Sequence, residues 1–233
     1  MNTGAPIEQS LPAFEPRLDI LPGPQRLLWP ELSQTPEQFT LHGGTAIALR
    51  LGHRPSMDFD FFAFEPFAPN DLLQRVPYLR GATVRQLAPD TLTATVERDG
   101  PVQLSFFGGL DLGQVALAER AVGPGIKVAS LLDLAGFKVA VVPQRVELRD
   151  YNDIHTLLTR ANIPLPTMLA CAKIIYGSQF NPLLALKALA YLEDPALAAL
   201  SAEVRRDLVA AIESTDLRRL PAVEAVRNKA ERE

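Results

Sequence analysis

The sequence predicts an α+β fold: a mixed or antiparallel sheet with flanking helices, followed by a C-terminal helical bundle. Three observations predict it. Short runs rich in β-branched and aromatic residues, "MDFDFF", "ATVRQLA", "TLTATVER" and "VQLSFF", fill the first half between turn residues. From Ser130 onward, apolar residues recur at helical spacing instead. With 233 residues, 47% hydrophobic and 21% charged, the chain can bury a sizeable core and is no candidate for wholesale disorder.

Residues 1–22 are rich in proline and polar groups and read as an extended N-terminal arm. An α/β core is expected over 23–128. It begins with "PGPQRLLWPELSQ", a short helix broken by Pro30. After Gly43 and Gly44, Thr45 can cap a helix carrying Ile47, Ala48 and Leu51 on one side, with Gly52 placed to end it. "MDFDFF" then alternates. In a strand, successive side chains point to opposite faces, so Met57, Phe59 and Phe61 can enter the core while Asp58 and Asp60 share the other face. A helix over 71–80 and three short strands follow. Asp99-Gly100 between the last two predicts an antiparallel hairpin beside the aspartate strand.

The region 129–233 is expected to be helical. "SLLDLAGFKVAVV" has a capping-box start at Ser130 and Asp133 and a stop at Pro143. "DYNDIHTLLTRA", "LPTMLACAKIIYG", "NPLLALKALAYLE" and "AEVRRDLVAAIES" follow, with short proline- and glycine-marked breaks. The chain shows neither an internal repeat nor a low-complexity tract.

No apolar run is long enough to span a bilayer, and the first residues lack both a basic start and an apolar stretch, so a cytoplasmic protein without a membrane partner is expected. Cys171 is the single cysteine and lies on an apolar helix pattern, which predicts core packing. A net charge of −4 supplies no global attraction to nucleic acid. Any polyanion must therefore use local patches: Arg50, His53 and Arg54 before the aspartates, and Lys138, Arg145 and Arg149 later.

Two carboxylates on one face of a strand can each offer oxygen ligands to Mg²⁺ or Mn²⁺, ions that keep waters and bridge to substrate phosphates. Asp58 and Asp60 have that spacing. A glycine turn at a helix N-terminus lets backbone amides approach phosphate oxygens, and Thr45 adds a hydroxyl. If the turn folds back over the strand, Gly43, Gly44, Thr45, Asp58 and Asp60 form a triphosphate site. Repelling carboxylates amid "MDFDFFAF" call for a cation. Lys138 sits in an otherwise apolar helix and needs a partner or a ligand. Lys138 and Arg145 share one face if that helix runs unbroken, although Pro143 predicts a bend. Asp150 and Asp153 also share a face.

These residues resemble a known family. "GGTAIALRLGHRPSMDFDFF", followed in order by "DLAGFKVAVVPQRVELRDYNDIHTLL", is similar to the AbiEii/AbiGii toxin family of nucleotidyltransferases, a branch of the DNA polymerase beta-like superfamily. The resemblance runs from about Gln25 to the end. It implies a nucleotidyltransferase-type core and transfer of a nucleotide from an NTP, in some members to tRNA 3′ ends. It also implies a frequent role as the toxin of a toxin–antitoxin or phage-defence pair, with a cognate antitoxin as partner. Residue by residue, Gly43, Gly44 and Thr45 match the phosphate-holding motif and Asp58 and Asp60 the metal pair. Lys138 matches the lysine that contacts the triphosphate; Arg145, Asp150 and Asp153 match the family's arginine and helix-borne acids. Asp150 is then the third acidic participant, as ligand or general base, or else a helix cap; Asp153 takes part in the site or pairs with an arginine.

One departure stands out. The superfamily often carries a third carboxylate on a neighbouring strand, where "VQLSFF" offers Ser105. His53 and Arg54 either touch the substrate or shape a turn. His42 and His155 have no partners at metal-ligand spacing and are expected to be structural. Two other readings compete with transfer. A D-x-D phosphohydrolase expects a long apolar strand before the pair, where "GHRPS" stands instead. A non-catalytic nucleotide-binding or protein-interaction member of the same fold fits the missing strand carboxylate.

Overall fold

Among residues 11–229, which the computed structural model describes, eight strands form one sheet and eight α-helices pack around it. The strands are β1 (Ala13–Phe14), β2 (Thr40–His42), β3 (Asp58–Phe62), β4 (Thr83–Ala88), β5 (Thr91–Glu97), β6 (Pro101–Phe107), β7 (Glu119–Ala121) and β8 (Lys127–Val128). Their order across the sheet is β1-β7-β8-β2-β3-β6-β5-β4. β3 lies near the middle, antiparallel to β2 and parallel to β6, so the sheet is mixed. The β5–β6 hairpin turns at Asp99 and Gly100, both with positive φ, as the Asp-Gly pair predicts.

The helices are α1 (Gly23–Leu28), α2 (Gly43–Leu51), α3 (Pro69–Arg75), α4 (Leu131–Val141), α5 (Leu148–Thr159), α6 (Leu165–Tyr176), α7 (Pro182–Ala190) and α8 (Ala202–Glu213). α4 starts where Ser130 accepts a hydrogen bond from the Asp133 backbone N–H, the capping box read from the sequence. α2 ends at Gly52 in the left-handed conformation. α4 and α6 cross closely at Gly136, where an added Cβ would lie 2.7 Å from Ile175 Cδ1 and 2.9 Å from the Ala172 nitrogen. Cys171 is buried in that contact.

Several expectations change. The helix expected over 71–80 ends at Arg75 and gives way to a 3₁₀ turn over Pro77–Leu79, because Pro77 cannot donate the next helical hydrogen bond. Residues 1–10 of the arm lie outside the described residues. From Leu11 the chain is docked: β1 joins the sheet edge beside β7, and Ile20 and Leu21 are buried. One hydrophobic cluster runs across residue 128, from Phe59, Phe61 and Leu104 to Leu169, Leu189 and Leu208. Met57 was expected inside but is 62% exposed, since β3 pairing begins only at Asp58.

Candidate functional site

The glycine turn and the acidic strand meet in space. Gly43 follows β2 with φ +74°, and a Cβ there would lie 2.9 Å from Asp60 Oδ2. At Gly44 a Cβ would lie 2.2 Å from Arg54 Nη2 and 3.4 Å from Asp153 Oδ2. Neither position has room for a side chain. The turn is therefore pressed against one metal-candidate carboxylate and against a cation, with the first amides of α2 above them.

Thr45 departs from its expected roles. His42, not Thr45, occupies the N-cap position. The Thr45 hydroxyl is buried, donates to the Asp58 carbonyl oxygen, and lies 2.7 Å from Ser56 Oγ. It fastens the turn to the start of β3. Ser56 was missed by the sequence reading, because nothing in its spacing marks a buried hydroxyl pair. Gln25 was missed too; its Nε2 donates to the Met57 carbonyl at 2.8 Å and holds the entry to β3.

Phe59 and Phe61 are fully buried, so Asp58 and Asp60 project from the opposite face, as the alternation predicts. Burial pushes the Asp60 carboxyl up; a hydrogen bond from Ser105 opposes this, Asp58 adds to it, and the charges of Lys138 and Arg149 oppose it again. Ser105 stands directly beside Asp60 in the β3–β6 register. The neighbouring-strand position flagged in the sequence thus supplies a hydroxyl to Asp60 and no third carboxylate.

The helical half brings cations to the same place. Lys138, on α4, sets its Nζ 2.7 Å from Asp150 Oδ1 and 2.7 Å from Asp153 Oδ2, both on α5. Asp153 also accepts from Arg54 Nε at 2.7 Å and Nη2 at 2.9 Å, and lies 2.7 Å from His53 Nε2. Burial alone would raise Asp153. The hydrogen bonds of His53 and Arg54, with the charges of Lys138 and Arg54, overcome burial and hold the carboxyl well below its ordinary range. Asp150 is fully buried and also accepts from Arg145 Nε at 3.0 Å. Two carboxylates therefore hold three permanent cations, one of which, Arg145, also pairs with Glu147 at 3.3 Å.

This geometry bears on three further expectations. Asp150 does not present itself as a metal ligand or general base, because Lys138 and Arg145 occupy its oxygens. Asp153 pairs with an arginine as one alternative held, and with Lys138 and His53 as well. Lys138 and Arg145 do not share one helix face: α4 ends at Val141, and Arg145 reaches Asp150 from the following turn. His53 and Arg54 both anchor on Asp153, and Arg54 remains partly open to the cleft.

The cleft so formed has a volume of about 380 Å³. Gly43, Gly44 and Thr45 line it with Asp58 and Asp60, and so do Arg54, Lys138, Arg145 and Arg149. The acids stand on β3, and the bases on α4, on α5 and in the connections before β3 and α5. Arg50 lies elsewhere: it bonds Glu119 and the Val128 and Ala129 carbonyls and stacks on Phe14, so it drops out of the basic patch. His42 is packed between Phe62 and Phe137, and His155 pairs with Asp207, in keeping with structural roles. Burial lifts the Cys171 thiol to about 12, as fits a core residue.

Two carboxylates are the oxygen donors a hard divalent cation takes, and their crowding on one face gives such an ion a place to act. Among the described residues, no group of three or more His, Cys, Asp or Glu is arranged to hold a metal. The remaining coordination would fall to water and to the ligand's own oxygens. None of the described helices is long and apolar enough to cross a membrane.

The chain is similar to known proteins in sequence and in structure. An uncharacterized protein of Aquifex aeolicus (strain VF5) is 31% identical over 159 residues, covering 67% of this chain and 74% of that one. The crystal structure of a candidate nucleotidyltransferase from H. pylori superposes with a TM-score of 0.53 at 17% identity, over 81% of this chain and 91% of that one. The nucleotidyltransferase toxin MenT4 of Mycobacterium tuberculosis H37Rv gives a TM-score of 0.48 at 18% identity, over 82% and 84% of the two chains. The H. pylori likeness places the fold among those of nucleotidyltransferase type. A family model described as nucleotidyl transferase AbiEii toxin, of a type IV toxin–antitoxin system, matches residues 26–229. That match spans most of the sequence, and the chain belongs to the AbiEii nucleotidyltransferase toxin family.

Proposed function

We propose that the protein transfers a nucleotide from an NTP to an RNA acceptor, a tRNA 3′ end foremost, in a reaction that depends on Mg²⁺ or Mn²⁺. One observation carries this reading: the Gly43-Gly44 turn abuts Asp60 in a cleft that Arg54, Lys138, Arg145 and Arg149 also line. Such a cleft offers backbone amides and cations to a polyphosphate and carboxylates to its counter-ion.

Asp58 and Asp60 would hold the divalent cation, which when bound supplies charge neutralisation at the reacting phosphate. The amides of α2 and the cations of α4, α5 and Arg54 orient the triphosphate. Asp150 and Asp153 keep Lys138 pointed into the cleft. The acceptor oxygen forms a bond to the α-phosphorus, the bond to the bridging β-oxygen breaks, and pyrophosphate leaves with its electron pair. The acceptor proton departs to solvent, as no free third carboxylate of the described residues lines the cleft. Positioning and charge stabilisation carry the rate.

The test incubates purified protein with each labelled NTP, Mg²⁺ and total cellular RNA. Labelled RNA is the expected product, and Asp58→Ala or Asp60→Ala reduces it to background with the fold intact. Undiminished labelling by those variants would sink the assignment. As a toxin acting in the cytoplasm, the protein arrests growth on expression, the Asp58→Ala variant does not, and a neighbouring antitoxin relieves the arrest.

A second reading is favoured by Ser105, which takes the place of a carboxylate beside Asp60. The protein is then a non-catalytic NTP-binding member of the fold. Tight, metal-dependent NTP binding without turnover on any RNA or protein acceptor would select it.

A further inference from the structure

A second cavity, of about 240 Å³, opens on the same face of the sheet as the acidic pair. The strand register explains why the two are neighbours. His42 stands beside Asp60 across β2 and β3, and Thr40 beside Phe62. Cross-strand partners project from one face, so Thr40, His42, Asp58, Asp60 and Phe62 form a continuous surface. His42, Phe62 and Phe137 line the second cavity. Gly43 and Lys138, which follow His42 and Phe137 in the chain, and Asp60, two residues before Phe62, line the charged cleft. Asp60 and Phe62 are two strand residues apart, about 7 Å at ordinary strand rise. A ribose can bridge that interval.

The inner walls are aromatic. His42 stacks on Phe62 with ring centroids 4.6 Å apart, and Phe137 meets them edge-on at 4.8 and 5.7 Å. Burial pulls the His42 imidazole down to about 3, so this ring is neutral near pH 7. Asp133 also borders the cavity, but its carboxylate accepts from the Val115 and Ala116 backbone N–H groups and from the Ser130 hydroxyl. Gln38, which is exposed, and Thr40 and Lys127, which are half-buried, offer an amide, a hydroxyl and an ammonium.

Flat aromatic walls with a few polar groups suit a planar heterocycle. Stacking holds its π-face, at about 1–3 kcal/mol per base, and the polar groups meet its edge. A polyphosphate would find too few cations there, and an aliphatic chain would leave the amide and hydroxyl unmatched.

We propose that this cavity is a nucleobase site, seating the heterocycle of a nucleotide whose phosphate or reacting hydroxyl lies at Asp58 and Asp60. It rests on the nucleotide-transfer reading above. The base comes either from the NTP or from the acceptor's 3′-terminal nucleotide, and the test separates them.

Leu117 lines the cavity and is 48% exposed, so Leu117→Trp narrows the mouth without disturbing the core. Gln38→Ala removes an edge contact and serves as a second variant. Neither residue touches the acidic pair. Calorimetric titrations of the full chain with Mg²⁺ use three probes: inorganic tripolyphosphate, each NTP, and short RNAs with an intact or an abasic 3′-terminal nucleotide. If the NTP supplies the base, at least one NTP binds about tenfold more tightly than tripolyphosphate. The variants then shrink that advantage and leave tripolyphosphate binding unchanged. If the acceptor supplies it, the intact RNA has the advantage over the abasic one, and the same variants shrink it. A base-dependent advantage that neither variant alters, or none with either probe, overturns the site. Failure of tripolyphosphate to bind the wild type would instead overturn the polyphosphate cleft, and the RNA comparison would still decide the base site.

Discussion

Gly44 leaves no space for even a methyl group. In Gly44→Ala the new Cβ would lie 2.2 Å from Arg54 Nη2 in the present geometry, so that end of the guanidinium must shift and its bond to Asp153 Oδ2 is lost. Hydrogen bonds to charged groups contribute about 1.5–3 kcal/mol, and the loss should fall in that range in urea denaturation. Because Arg54 also lines the cleft, NTP affinity should fall with it. A Gly44→Ala protein as stable as the wild type would show that Arg54 does not need this space. The Thr45 hydroxyl ties the turn to Asp58, and a serine there carries the same group.

At the scale of elements, α4 and α5 are joined by charge as well as by packing. Lys138 of α4 lies between Asp150 and Asp153 of α5, and all three are buried. A buried ion pair is costly to break on one side, by about 3–5 kcal/mol, because the remaining charge is left uncompensated. Asp153→Asn should lose stability on that order near pH 7. The pH dependence follows from the direction of the shift. Asp153 is held below its unfolded value, so its contribution is fully present above about pH 4 and is lost as pH falls through the folded value. The stability gap between wild type and Asp153→Asn should therefore narrow as pH is lowered from 5 to 2. A gap constant over that range would remove Asp153 from the ionic account.

Over the whole molecule, the sheet supplies carboxylates and the helical half supplies cations, and the cleft lies where they meet. A cation bound at Asp58 and Asp60 binds the folded state alone. At about tenfold excess over its dissociation constant it should add about 1.4 kcal/mol. For a chain of this size that reads as a rise in Tm of about 3–6 °C. Asp58→Asn and Asp60→Asn should each abolish the Mg²⁺-dependent rise. An equal rise in both variants would place the cation elsewhere. The metal-free Asp60→Asn protein should itself melt higher than the metal-free wild type, since burial and Asp58 both disfavour the Asp60 charge.

Much of this was legible in the linear chain, and for local reasons. The period of two over residues 57–62 sets Asp58 and Asp60 on one face; Ser130 and Asp133 fix the start of α4; Gly52 ends α2. The two motif blocks marked the cations and acids in order. These features depend on neighbours within a few residues, where backbone sterics and capping hydrogen bonds act. Partnership across the fold was not legible. That Asp150 is closed off by Lys138 and Arg145, that Thr45 bonds the Asp58 carbonyl, and that Arg50 pairs with Glu119 all depend on contacts between residues distant in the chain. The sequence by itself determined which groups are available and which face of each element bears them. Only the tertiary structure decided which charges neutralise one another and which stay open to a ligand, because burial makes each buried charge take whichever partner packing brings within reach.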